Sequence, residues 1–124
     1  MHFTQREQQA LREAGVDQTA IEAASETVVE LTDEAADDLE AFFADRETLH
    51  SDMDVAHSSS DIQTHTVEYL DLFTHADDIR GYLRFDSWGV PVEGGRVLND
   101  EVVELTLGPT VDGRVRFATD ADAL

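Results

Sequence analysis

The densest group of chemically capable side chains lies in one short stretch, where His50, Asp52, Asp54 and His57 fall within eight residues. Imidazole and carboxylate together suit zinc, iron, nickel or manganese, and three or four such groups on one loop could supply the open site of a metal-dependent hydrolase. The spacing matches no known signature. The two histidines stand seven apart without the helical HExxH pattern, and an EF-hand counted from Asp52 has His57 where glycine turns the loop and Gln63 where its last glutamate belongs. The plain alternative is a solvated acidic loop. Ser58, Ser59 and Ser60 beside His57 and Asp61 invite a serine-hydrolase reading, but a triad is assembled in space around a strained turn, and no GxSxG is present.

A second constellation is cationic. Ile79, Gly81, Leu83 and Phe85 alternate with Arg80, Tyr82, Arg84 and Asp86, the period of a half-buried strand. If the apolar set faces a core, Arg80, Tyr82 and Arg84 face out. Arg114 and Arg116 project together in the same way, opposite in face to Val115 and Phe117. Four of the eight arginines would then share a sheet face able to stack on a ring or clamp a phosphate or carboxylate. The ordinary account is cross-strand pairing with Glu68, Glu101 and Glu104, at about 0.2–1 kcal/mol each. Trp88, next to Gly89 and ahead of Val90 and Pro91, is either an exposed anchor for a partner or a second copy of the chain, or a core residue.

The elements that must position these groups divide the chain in two. Thr4 and Glu7 form a capping box, Leu11 and Ala14 continue one face, and Gly15 is placed to end a first helix over 4–14. Asp17 caps a second, over 17–31, with Ile21, Ala24, Val28 and Leu31 as its stripe. The run Thr27-Val28-Val29 weakens that helix and leaves a short strand open. Thr32 with Asp33 and Glu34 starts a third, whose apolar face is Ala35, Ala36, Leu39, Phe42 and Phe43. Residues 49–62 read as a long polar loop. Beyond it, 66–74 pairs with 79–85 across Ala76-Asp77-Asp78, and the dipeptides Gly94-Gly95 and Asp112-Gly113 mark further tight turns of an antiparallel meander. The expectation is one α+β domain: two or three N-terminal helices in 1–48 on one face of an antiparallel sheet in 63–119, with a frayed tail at 120–124. A helix-turn-helix in the first half is disfavoured, because helix 17–31 holds no arginine and carries Glu22, Glu26 and Glu30.

The composition narrows the functional classes. The 124 residues hold 28 acids against 8 basic residues, all arginine, for a net charge of −20. Such a chain disfavours nucleic acid and anionic membranes as partners. Without cysteine there are no disulfides, thiolate metal sites or thiol catalysis. No apolar run reaches membrane-spanning length and no leader pattern opens the chain, so a cytoplasmic protein is expected. A charge this large repels itself in dilute buffer, whereas at molar salt the screening length falls to about 3 Å and the repulsion nearly vanishes. Together with this lysine-free acidity, the segments His50-Ser-Asp-Met-Asp-Val-Ala-His57 and Tyr69-Leu-Asp-Leu-Phe-Thr-His-Ala-Asp-Asp-Ile-Arg-Gly-Tyr-Leu-Arg-Phe-Asp-Ser-Trp-Gly89 make the chain resemble a small acidic uncharacterised protein family of halophilic archaea. The resemblance implies a cytoplasm at near-saturating salt and brings no reaction, ligand or catalytic residue with it. The leading functional reading is a non-enzymatic interaction or small-ligand-binding module, without cofactor, that uses Arg80, Tyr82, Arg84, Arg114, Arg116 and Trp88. The metal-dependent hydrolase at His50, Asp52, Asp54 and His57 and a structural homodimer are its rivals.

Overall fold

Thr4 starts the first helix as its spacing to Glu7 predicts: its hydroxyl accepts from the Glu7 N–H at 3.2 Å while the Glu7 carboxylate accepts from the Thr4 N–H at 3.0 Å. This helix, α1, spans Gln5–Glu13 and ends where Gly15 takes φ +97°, a conformation glycine adopts without steric cost. Asp17 then opens α2, its carboxylate accepting from the Ala20 N–H at 2.8 Å. The computed structural model that gives these contacts describes residues 2–44, 46–53, 62–108 and 113–124.

The expected break at Thr32 does not occur. α2 runs unbroken from Gln18 to Ala44, 27 residues and about 40 Å long at a rise of 1.5 Å per residue. The hydroxyls that suggested a strand or a new cap turn back onto helix carbonyls instead, Thr27 to Ala23 at 3.0 Å and Thr32 to Val28 at 2.8 Å. Residues 27–31 are therefore helical, and the N-terminal part has two α-helices among the described residues. The stripe read for the first half of α2 is only partly buried: Ile21 is inaccessible, whereas Leu31 is 58% exposed. The second half behaves as its pattern requires, with Ala36, Leu39, Phe42 and Phe43 all buried. No helix among the described residues is long and apolar enough to cross a membrane.

Six antiparallel strands follow: β1 (Thr48–Ser51), β2 (Gln63–His75), β3 (Asp78–Phe85), β4 (Gly89–Val97), β5 (Val102–Leu107) and β6 (Arg114–Ala118). The antiparallel sheet is as expected, but it does not stay open. β1, drawn from the start of the supposed polar loop, pairs with β2 on one side and with β6 on the other, which closes the meander into a barrel. Among the described residues closure is short, with His50↔Ala118 and Ser51↔Phe117 in register. Asp52 extends it: its N–H donates to the Arg116 carbonyl at 3.2 Å and its carboxylate accepts from the Arg116 N–H at 2.8 Å. The tail is also ordered by a side chain, since the Asp120 carboxylate accepts from Asp122 N–H and caps a 3-10 turn at Ala121–Ala123.

The β2–β3 hairpin turns where the sequence places it, with Ala76 at φ 53°. Gly94 and Gly95, expected to form a turn, lie inside β4 opposite Thr106 and Leu105, just past a bulge. The actual β4–β5 turn is held by Asn99, whose side-chain oxygen accepts from the N–H groups of Glu101 and Val102. Gly95 is needed for packing: a Cβ there would sit 2.9 Å from Leu39 of α2 and 2.8 Å from Leu105. Gly81 is tighter still, because its Cβ would run into the backbone carbonyl oxygen of Asp71, which cannot swing away. Gly81→Ala is expected to lose about 1–3 kcal/mol by overpacking. A urea midpoint for Gly81→Ala no lower than that of Gly94→Ala, where only ordinary contacts with Thr106 would form, would contradict this packing.

Inside the barrel, Leu83, Phe85, Val90, Leu105, Val115 and Phe117 meet Leu39, Phe42 and Phe43 from α2 in one core. The second half of α2 thus packs its apolar face against the inward side of the strands, the α+β arrangement expected, with the sheet closed.

Candidate functional site

Closure of the sheet decides which arginines can act together. Along β3, Arg80 and Tyr82 face out as their alternation predicts, paired with Phe73 and Asp71 of β2, and the partly exposed Arg84 pairs with Tyr69. Arg114 and Arg116 also face out, from β6. In a ring of six strands, however, β3 and β6 are three steps apart in either direction and occupy opposite walls. The single face expected from the sequence is thus two faces.

The two differ in charge balance. On the β2–β3 wall each arginine has one carboxylate nearby, Arg84 with Glu68 at 3.6 Å and Arg80 with Asp78 at 3.9 Å, in exposed pairs of small energetic weight. Tyr82 leans over Gly89, whose missing side chain leaves room for the ring. On the β4–β5–β6 wall two arginines share one carboxylate and a third stands beside them. Register sets Arg96, Glu104 and Arg116 side by side across the three strands, with Gly94, Thr106 and Arg114 as the adjacent row. Glu104, 9% exposed, accepts from Arg96 Nε at 3.1 Å and pairs more loosely with Arg116 Nε at 3.9 Å. Among the described residues no carboxylate pairs with Arg114. Arg96, Glu104, Thr106 and Arg114, with the Gly95 backbone, line a shallow depression of about 280 Å³. It offers guanidinium donors on two sides and a threonine hydroxyl between them, the donor set that a phosphate or carboxylate group accepts from.

The His and Asp stretch is only partly described. Asp54 and His57 lie outside the described residues, as do Ser58, Ser59, Ser60 and Asp61. His50 Nδ1 lies 3.2 Å from the Thr64 hydroxyl, and the Asp52 carboxylate is engaged by the Arg116 backbone, as given above. Among the described residues no group of three metal-ligating side chains converges. Trp88 is half-buried, its ring 4.8 Å from that of Phe85 and packed against the core, so it is not the exposed anchor considered from the sequence.

Between these strands the structure places a pair that the residue pattern does not announce. Ser51 is fully buried, and its hydroxyl lies 2.7 Å from His65 Nε2. The His65 ring stacks on Phe85 at 4.6 Å, with Phe117 at 6.0 Å. Burial pushes the imidazole below its ordinary range, the charge of His50 acts in the same direction, and Asp86 opposes both. Ser51 escapes notice because it reads as loop, and without β1 beside β2 nothing brings it to His65. Arg96 is missed for a related reason: as long as Gly94-Gly95 is read as a turn, Arg96 has no register with Glu104.

The fold and the site together define an α+β protein, two helices and a closed antiparallel sheet, with an arginine-framed depression on its outer wall. The chain belongs to a family of unknown function, DUF7532, whose model matches residues 1–122. No curated protein and no solved structure matches it.

Proposed function

We propose that this chain is a non-enzymatic binding module that holds the phosphate or carboxylate group of a small anionic ligand at Arg96, Arg114 and Arg116. The observation that carries the reading is charge imbalance: in a chain of net charge −20, Arg96 and Arg116 both pair with Glu104, and beside them Arg114 has no carboxylate paired with it among the described residues. A purely structural salt-bridge network would match cation to anion, as the β2–β3 wall does. Glu104 acts as the fixed centre that orients Arg96 and Arg116, while Arg114 supplies a charge that no described carboxylate pairs with. The same acidity and the absence of lysine support a cytoplasm of high salt as the working environment. There long-range attraction is screened within about 3 Å, so recognition rests on short, directional guanidinium hydrogen bonds.

Calorimetric titration with inorganic phosphate and with succinate tests the site. Hydrogen bonds to charged groups contribute about 1.5–3 kcal/mol, so Arg114→Gln is expected to weaken binding by about tenfold or more. The double variant Arg80→Gln/Arg84→Gln is expected to leave it unchanged. Equal losses in both variants, or no saturable binding of either anion to the native chain, would remove the reading.

A further inference from the structure

The two strands that flank the end of α2 differ greatly in length. β1 has four residues and pairs with 63–66 of β2, which has 13, so among the described residues 67–75 have a strand neighbour on the β3 side only. An open strand edge presents a row of backbone donors and acceptors. The chain covers both ends of this edge with its own groups. At one end the Val67 N–H donates to the Glu47 carbonyl at 2.8 Å, and at the other the Leu72 N–H donates to the Glu40 carboxylate at 2.8 Å. Further along, the Thr74 hydroxyl donates to Asp33. Between the covered ends lies a groove of about 640 Å³, bounded by the last turns of α2 and by 67–70 of β2. Since Leu72 directs its N–H toward the helix, strand alternation directs the N–H and C=O of Leu70 the same way, into this groove.

We infer that the groove accepts an extended, arginine- or lysine-bearing segment of a partner protein, which adds to the open edge of β2 as a short strand. Strand addition gives affinity through main-chain hydrogen bonds and selectivity through the side chains on either flank. Here the flanks carry Glu40, Glu47 and Glu68, with Phe43 and Tyr69 as apolar and aromatic surface. Arg46, the one cation in the lining, is already committed: it donates to the Phe42 carbonyl at 2.7 Å and lies 4.5 Å over the Phe42 ring. The groove therefore selects a basic strand and repels an acidic one. This site lies on β2 and α2, away from the β4–β5–β6 wall, and stands or falls independently of anion binding there.

The test is fluorescence anisotropy of the full chain with a labelled Val-Arg-Val-Arg-Val peptide, alongside the same peptide N-methylated on alternate residues so that one edge cannot pair. The charge of the two peptides is identical. Saturable binding is expected, weakened by about tenfold or more in the N-methylated peptide and likewise in the double variant Glu47→Gln/Glu68→Gln. Those substitutions leave the Glu47 backbone carbonyl in place, and circular dichroism verifies the fold. Equal binding of both peptides would reduce the effect to general attraction by an acidic surface and overturn the proposal. Unchanged affinity in the double variant, or no saturation below about 1 mM, would overturn it equally.

Discussion

Truncating Phe117 to alanine is expected to destabilise the fold by about 3–5 kcal/mol, the largest loss from any single side chain considered. The ring is inaccessible to solvent and meets aromatic neighbours from three directions: Phe43 of α2 at 5.3 Å, His65 of β2 at 6.0 Å and Phe85 of β3 at 6.4 Å. It also stands opposite Ser51, in one of the two register pairs that close the barrel. Removing it opens a cavity where the ladder is shortest and surrounding strands have least backbone pairing to hold them. Phe117→Leu keeps most of the volume and is expected to cost less than about 1.5 kcal/mol. Urea unfolding of both variants gives the comparison, and Phe43→Ala combined with Phe117→Ala is expected to be non-additive by about 0.5–1.5 kcal/mol, because each ring loses the other. Equal, small losses for the two Phe117 variants would mean that the helix and the barrel do not share one core.

Local rules carried the chain up to the points where distant segments had to meet. Thr4, Asp17 and the alternation of 79–85 act on neighbours in sequence, and each element they specify is found in the structure. Thr32 shows the limit of such rules, since a threonine before two acids satisfies the requirements of an N-cap, yet its hydroxyl is equally content on the Val28 carbonyl when the helix continues. Barrel closure was illegible for a different reason. Thr48–Ser51 is too short and too polar to announce a strand; it becomes one because β2 and β6 both offer it an edge. The candidate site inherits this difficulty. Outward-facing Arg80, Arg84, Arg114 and Arg116 could be read from alternation alone, but only closure separates the first two from the last two, and only the bulge in β4 brings Arg96 into register with Glu104.

The Ser51–His65 couple gives the fold an acid limit that can be isolated from its many carboxylates. Burial lowers the His65 pKa in the folded chain, whereas in the unfolded chain the imidazole titrates near its ordinary value of about 6.5. Between those two values the unfolded state binds a proton that the folded state refuses, so stability falls as the pH is lowered through this window and is fully present above it. The slope is at most about 1.4 kcal/mol per pH unit for one group. Aspartate and glutamate ordinarily titrate near about 4, leaving the interval from about pH 7 to pH 5 mainly to imidazoles. Subtracting the urea stability of His65→Gln from that of the native chain, at constant high salt, isolates His65 together with its coupling to His50. That difference is expected to shrink steadily as the pH drops; a flat difference would mean that the ring carries its proton inside the barrel. Ser51→Ala supplies the complementary result, since it leaves a buried imidazole nitrogen without its hydroxyl partner and is expected to cost about 1–3 kcal/mol at neutral pH. A protonated ring could still donate through Nε2 to the serine oxygen, so the acid loss comes from placing charge against Phe85 and Phe117, not from breaking the hydrogen bond.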